Sequence, residues 1–531
     1  MKMRRFALFS AMMLAAAFAA GPGIAAAGPP DRGEDPGEES QAVAEATNWF
    51  MAQRLAPNGA VNPNAYAAGA AQAKALPSVG GAWTERTGRP GSDGNDFSDP
   101  PQYIDPTSNF SNSGAGDKWV AGRMTALAAA PDGTLFTGAA DGGVWRSTDD
   151  GQHWTPVTDT QATLSIGALL VTGSGSSYTV YAGTGEANTS QDSYAGVGVL
   201  ASTDHGASWH QVGGSELNGA LIFRLAQDGN TILAATSHGL YSFNTTSSSA
   251  WTAVLQPAGP PSDGVNFNLV VGNMISDVAV RPGTGGQQVV AVAGFRGGAP
   301  TNGLYVSNDG GAHFSYDAKP QGWVPAKAEG RTTLAYSAAG DRAYAIVQSP
   351  QLLNVGTNGN TLLQGIYESK NGDPAGPWTK VADSSKLANS GSAQKLAVGG
   401  SGYQPGIQGW YNQFLTVDPA DKDHVYVGLE EVYETQNGGS GWSTIAPYWN
   451  FAFSCFSYTP FEGTCDHNQA HSDQHAAIIA GGKLYIGNDG GVWSRALTDH
   501  KVGDWTNLNA HLDALQYYGA QGSGDSTIYG G

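Results

Sequence analysis

The sequence predicts an all-β chain folded as a seven-bladed β-propeller, and three observations carry that prediction. A turn motif, Ser147-x-Asp149-x-Gly151-x-x-Trp154, returns as Ser202-x-Asp204-x-Gly206-x-x-Trp209 and Ser307-x-Asp309-x-Gly311-x-x-Phe314. Looser copies run from Thr435 to Trp442 and from Ser369 to Trp378. Two more keep only their ends, Leu240-Tyr241 before Trp251 and Gly490–Trp493 before Trp505. The seven copies lie about 58 residues apart, a period that belongs to propellers and solenoids. Each follows a short apolar run such as Val144-Trp145 or Leu304-Tyr305, and four strand-like segments surround the motif at both ends of the array.

The motif is turn chemistry. The Asp or Asn side chain accepts from backbone N–H groups ahead of it, Gly takes a positive φ, and the aromatic residue returns the chain to the apolar layer. Blade one reads as strands over 124–129, 135–138, 144–147 and 153–157. Blade seven reads as 475–480, 484–487, 492–495 and 505–508. The intervening blades are expected to start near Leu164, Leu221, Ile275, Thr333 and Trp410. Radial closure of such sheets leaves no exposed sheet edge, and the ring is expected to occupy 119–511.

What precedes the ring reads differently. Lys2, Arg4 and Arg5, the apolar run Phe6–Ala20 and the Ala25-Ala26-Ala27 site form a secretory signal over 1–27. Residues 28–118 are a linker with a short helical extension, the helices expected over 41–55 and within 57–79. No later stretch is long and apolar enough for a transmembrane segment. A secreted location follows, extracellular or periplasmic, and in that oxidising setting Cys455 and Cys465 are expected to form a local disulfide. The formal charge of −19 over 531 residues, with 75 glycines, argues against nucleic acid as a partner. Residues 512–531 read as the start of a further strand or a second propeller cut short.

The motif resembles the Asp-box, or bacterial neuraminidase repeat. The family spans sialidases, xyloglucan-hydrolysing double propellers, sortilin-like receptors and propellers without known activity. The resemblance covers about 119–511 and implies the fold; for function it implies either binding or glycoside hydrolysis. The run His471-Ser-Asp-Gln-His475-Ala with Ile486-Gly-Asn-Asp-Gly-Gly491 is similar to an HxDxHA…GNDGG run of secreted Asp-box proteins. Xyloglucanase-like members carry a catalytic Asp in a T-D-x-G-G-x-Y-R run; here Ala139–Arg146 shifts that Asp by one, to Asp141. Sialidases use an arginine triad, distantly echoed by Arg224, with Arg123 and Arg331 starting other inner strands.

Chemistry is expected on the face with the longer loops, which join strand two to three and one blade to the next. A glycosidase needs two carboxylates there. The catalytic candidates are Glu186, Asp141, Glu430 and Asp489, with Glu431 and Asp473 beside them. For ligand binding, Trp449, Phe451, Tyr458 and Arg296 offer aromatic faces and one cation; the aromatic loop reads equally as a lid packed on the rim. In His471-x-Asp473-x-His475, extended geometry places all three side chains on one face, a set suited to a divalent metal ion, to catalysis, or to a hydrogen-bonded strand start. The expected ligand is a glycan or an extracellular protein.

Overall fold

The computed structural model describes residues 62, 64–77, 120–188, 193–256, 274–295, 298–316, 320–354, 361–396, 404–448, 470–514, 520–522 and 528–530. Seven four-stranded antiparallel sheets, each built from four consecutive strands, form the blades. The innermost strands are Met124–Ala129, Ile166–Ser174, Ile222–Asp228, Ile275–Val280, Thr332–Tyr336, Phe414–Asp418 and Gln474–Ala480. Each packs against the next, and the first packs against the last, so the ring closes.

The expected strands of blades one and seven fall within two residues of those observed. Blade six departs most. Its inner strand starts at Phe414, because Trp410 and Tyr411 lie in a turn held by Tyr411 N donating to Gln408 O at 2.7 Å. In the N-terminal extension a helix spans Ala65–Ala75, inside the expected 57–79, while 41–55 and both cysteines lie outside the described residues. Tyr66 packs on the core of blades one and two. Beyond the ring, Ala520–Gly522 pairs with Ile528–Gly530.

The repeated turn does what its residue types dictate, and the serine adds a part of its own. Asp149 Oδ1 accepts from His153 N at 2.9 Å; Ser147 Oγ donates to Asp149 Oδ1 at 2.8 Å and accepts from Gly151 N at 2.9 Å. The bonds recur at Asp204 and Asp309, and with Asn437 in blade six. Gly151 has φ 86°, a region that a side chain rarely adopts.

The closing aromatic residues all stand at the start of an outermost strand, and three of them tie blade to blade. Trp154, Trp251 and Trp505 donate Nε1–H to carbonyls of the preceding blade's outer edge: Leu508 at 2.8 Å, Val212 at 2.8 Å and Ile445 at 3.0 Å. The first of these spans the closure between blades one and seven. There Ala121 N also donates to Gly490 O at 2.7 Å, and Lys483 and Tyr485 both reach Asp150. Burying one tryptophan removes roughly 150–250 Å² from water, so the ring is held by apolar contact and aimed by these bonds.

Candidate functional site

The inner strands enclose a channel cavity of about 410 Å³. A bulge shapes its lining. In blades one to four and seven the pairing of the first strand with the second slips one residue from the strand start, at Thr125, Gly167, Phe223, Ser276 and His475. An extra residue at a bulge re-aims its side chain, and all five positions line the channel. At Gly167 only glycine fits, since a Cβ there would meet Ile222 O at 2.2 Å and Gly185 O at 2.3 Å.

His475 is therefore delivered to the channel by a strand irregularity, not by alternation. Its Nε2 lies 2.7 Å from Asp489 Oδ1, on the loop between strands two and three of blade seven. Tyr411 OH donates to the same oxygen at 2.8 Å, and Arg123 Nη1 donates to Tyr411 OH at 3.1 Å. Arg123 Nε lies 3.3 Å from Glu186. A chain of contacts thus runs from blade seven through the blade-six loop and blade one to blade two.

Burial and charge sort the protonation states. Burial lowers His475, and Arg123 and Arg331 add to that, against the opposing pull of Asp489. Burial raises Asp489, but the bond and charge of His475, with Arg123, outweigh it and leave the carboxyl lowered. The shared proton therefore sits on His475 Nε2, and the buried Nδ1 has no partner. Asp473 goes the other way: burial first, then the charges of Asp489 and Glu430, push it well above the ordinary carboxylate range. Asn412 Nδ2 donates to its Oδ1 at 2.8 Å.

The other carboxylates at this end are already engaged. Glu430 accepts from Gly406 N at 2.8 Å and Gln408 N at 2.7 Å, and burial pushes it up to about 7. Glu431 accepts from Ala393 N and Tyr448 N, both at 2.8 Å, and from the Tyr433 hydroxyl. Glu186, fully buried, accepts from Ser193 besides its pairing with Arg123. Asp489 keeps 29 % of its side-chain exposure. Asp141 sits half-buried on the blade-one loop. Arg296, Trp449, Phe451 and Tyr458 lie outside the described residues.

The proposed shared face of His471, Asp473 and His475 needs correction. Asp473 has φ 65°, so the segment is not extended there, and the strand begins only at Gln474. The three side chains take separate partners: Ser472 O for the His471 Nδ1, Asn412 for Asp473, Asp489 for His475. They do not form a set whose ligand atoms lie within 4.8 Å of one another.

Sequence reasoning missed Tyr411, Asn412 and Gln413, which stand outside the repeated motif, and gave Arg331 no role beyond its position at a strand start. Arg331 lines the channel and donates Nη1 to Tyr411 O at 2.7 Å and Trp410 O at 3.1 Å. Burial lowers it to about 10, against Glu186 and Asp277, so it stays cationic at neutral pH. Arg224, 41 % exposed in the same channel, lies 3.5 Å from Asp277.

No protein-family model and no curated protein matches the chain. Among solved structures it is similar to the GH74 xyloglucanase from Xanthomonas campestris, with 17 % identity and a TM-score of 0.48 over 74 % of this chain and 55 % of that one. The GH74 enzyme of Niastella koreensis gives 14 % and 0.49, covering 77 % of this chain and 57 % of that one. YCF48 bound to D1 peptide gives 14 % and 0.43, covering 72 % and 93 %. The chain spans about half the length of the GH74 structures it matches. The protein is a seven-bladed β-propeller with GH74 xyloglucanases and YCF48 among its structural neighbours.

Proposed function

We propose that this is a secreted propeller of the Asp-box kind that binds a glycan at the long-loop mouth of its channel without cleaving it. The observation that carries the reading is the state of the carboxylates: Glu186, Glu430 and Glu431 are each committed to an arginine or to several N–H and O–H donors. The cavity lining is polar and partly cationic: Arg224 and, at its end, Asp489 keep exposed area for a ligand, and the buried Arg331, Asn188 and Gln413 line the wall behind them. Hydroxyl-rich ligands suit such a mixed donor and acceptor lining. The bonded Ser-Asp-Gly turns support the Asp-box assignment, and the basic start, apolar run and Ala25–Ala27 site support export. Among the described residues no helix is long and apolar enough to cross a membrane.

Titration calorimetry against a panel of oligosaccharides tests this, with Arg224→Ala and Asp489→Asn as variants. The expected result is saturable binding by the wild type, weakened in both variants, and no release of reducing ends. Binding to secreted proteins but to no glycan would replace the ligand class. A second reading has its own support: the environments of Asp473 and Asp489 drive one carboxyl up and the other down, as an acid and base pair requires. Reducing-end release lost in both Asp473→Asn and Asp489→Asn would make the protein a glycoside hydrolase.

A further inference from the structure

A second cluster of imidazole and carboxylate lies on the opposite face, where blades six and seven meet. His424 is on the second strand of blade six, Asp421–Gly428, and Glu434 on the third, Val432–Thr435. His500 comes from the turn between Gly491–Ala496 and the outer strand of blade seven. Both turns depart from the motif, as those of blades three and five also do: blade six carries Thr435 and Asn437 in place of Ser and Asp, and blade seven keeps only the ends. His500 stands in that freed stretch.

Glu434 Oε1 lies 2.7 Å from His424 Nε2 and 2.9 Å from His500 Nδ1, and one ligand atom from each residue lies within 4.8 Å of the others. The second carboxylate oxygen, Glu434 Oε2, is buried in a side chain only 2 % exposed and makes no well-aligned hydrogen bond, with the Tyr426 hydroxyl beside the carboxylate. His424 Nδ1 is backed by Asp418 Oδ2 at 3.1 Å. A carboxylate behind the far nitrogen of a ligating histidine fixes its ring and raises its basicity. His500 is 43 % exposed, which gives a cation a way in from solvent.

We propose that His424 Nε2, Glu434 and His500 Nδ1 form a binding site for a divalent transition cation of the zinc class, with Asp418 positioning His424 and water in the fourth place. Bond lengths of about 2.0–2.1 Å in a tetrahedral set hold ligand atoms roughly 3.3 Å apart, so Glu434 has to withdraw by about half an ångström from each ring. Rotation of its carboxylate brings the buried Oε2 into play. Two imidazoles and one carboxylate are the donors that intermediate ions of this class take. A metal on His424 Nε2 displaces the proton that this nitrogen shares with Glu434 Oε1, and that proton leaves to solvent; at His500 the metal takes the place of the Gln436 Nε2 amide, which lies 2.8 Å from Nδ1. Arg495, whose Nε and Nη1 are buried without partners, senses the charge of Glu434 and sets an upper bound on affinity. The site lies on the motif-turn face, so its failure would leave the glycan reading untouched, and the reverse holds too.

The test uses tag-free full-length protein, stripped with chelator and titrated with Zn²⁺ alone by calorimetry in two buffers of different ionisation enthalpy. One equivalent is expected, with proton release. His500→Ala, an exposed loop change that leaves the blades intact, should weaken binding by more than about tenfold, and Asp418→Asn by about tenfold. Co²⁺ should give visible absorption of tetrahedral intensity in the wild type and lose it in His500→Ala. Zn²⁺ titrations indistinguishable between wild type and His500→Ala, or no saturable binding by the wild type, would overturn the proposal.

Discussion

The two ends of blades six and seven use the same side chains to opposite effect. At the channel mouth His475 faces Asp489, and two arginines stand near; the histidine is held neutral and Asp473 is driven towards its protonated form. On the turn face His424 lies between Asp418 and Glu434. Burial works against its charge, but the bonds and charges of both carboxylates outweigh it and raise the ring above its ordinary value. Glu434 is lowered in turn: burial raises it, and its bonds to His424 and His500 more than offset this. The residue types therefore do not set the charge state. The sign of the third and fourth neighbours does.

The largest expected effect separates the ends by what a deletion leaves behind. Glu434→Ala leaves the buried His424 with Asp418 as its remaining carboxylate and removes a negative charge that acts on Arg495, and should cost about 3–5 kcal/mol in denaturant unfolding. Asp489→Ala leaves a neutral imidazole and the Tyr411 hydroxyl without an acceptor, and should cost about 1–3 kcal/mol. Equal losses would mean that the two clusters do not differ in charge.

The next effect has the opposite sign. A carboxyl whose folded value is raised loses stability as pH climbs from its unfolded value of about 3.9, so Asp473 weakens the fold at neutral pH. Asp473→Asn keeps an oxygen for Asn412 and removes that burden. It should raise stability at pH 7 by about 1–2 kcal/mol and leave it unchanged or lower at pH 3.

Histidine replacements sharpen the contrast through pH. Folded His475 resists the proton that an unfolded histidine takes near pH 6.5, so stability falls as pH drops below about 6.5, and His475→Gln should flatten that acid limb. His424 contributes fully below about pH 6.5, and its contribution fades as pH rises through its folded value; His424→Gln should flatten the alkaline limb. Melting curves across pH 5 to 8 read both. Changes on the same limb would erase the distinction.

The smallest effect is a control. His153 and His313 pair with Asp149 and Asp309 at 2.6 and 2.7 Å, yet both rings are largely exposed. His313→Ala should move stability by less than about 0.5 kcal/mol, as exposed pairs do. A larger loss would mean that the motif turns carry electrostatic stability that their backbone bonds do not explain.

Much of the architecture was legible along the chain because its causes are local. Ser147, Asp149 and Gly151 build their turn from bonds spanning four residues at most, and a tryptophan five places after Asp149 marks the next strand. Repetition of that turn sets the number of blades. The site was legible only in part: Glu186, Asp489 and His475 stood out by residue type, whereas Tyr411 and Asn412 carry no motif and meet Asp489 and Asp473 across more than sixty residues of sequence. Alternation also misled at Asp473, since neither its positive φ nor the bulge at His475 has a signal in those residue types.

What the sequence by itself determined, then, is the repeating unit: turn, strand order and the aromatic residue that seals each blade. Closing the ring decided the rest. It brought Arg123 of blade one beside Tyr411 of blade six, and His500 of blade seven beside Glu434 of blade six. The physical reason is one of range. Turn and strand preferences are set by neighbours in the chain, while desolvation and Coulomb interactions depend on distance through space and on how much water is left.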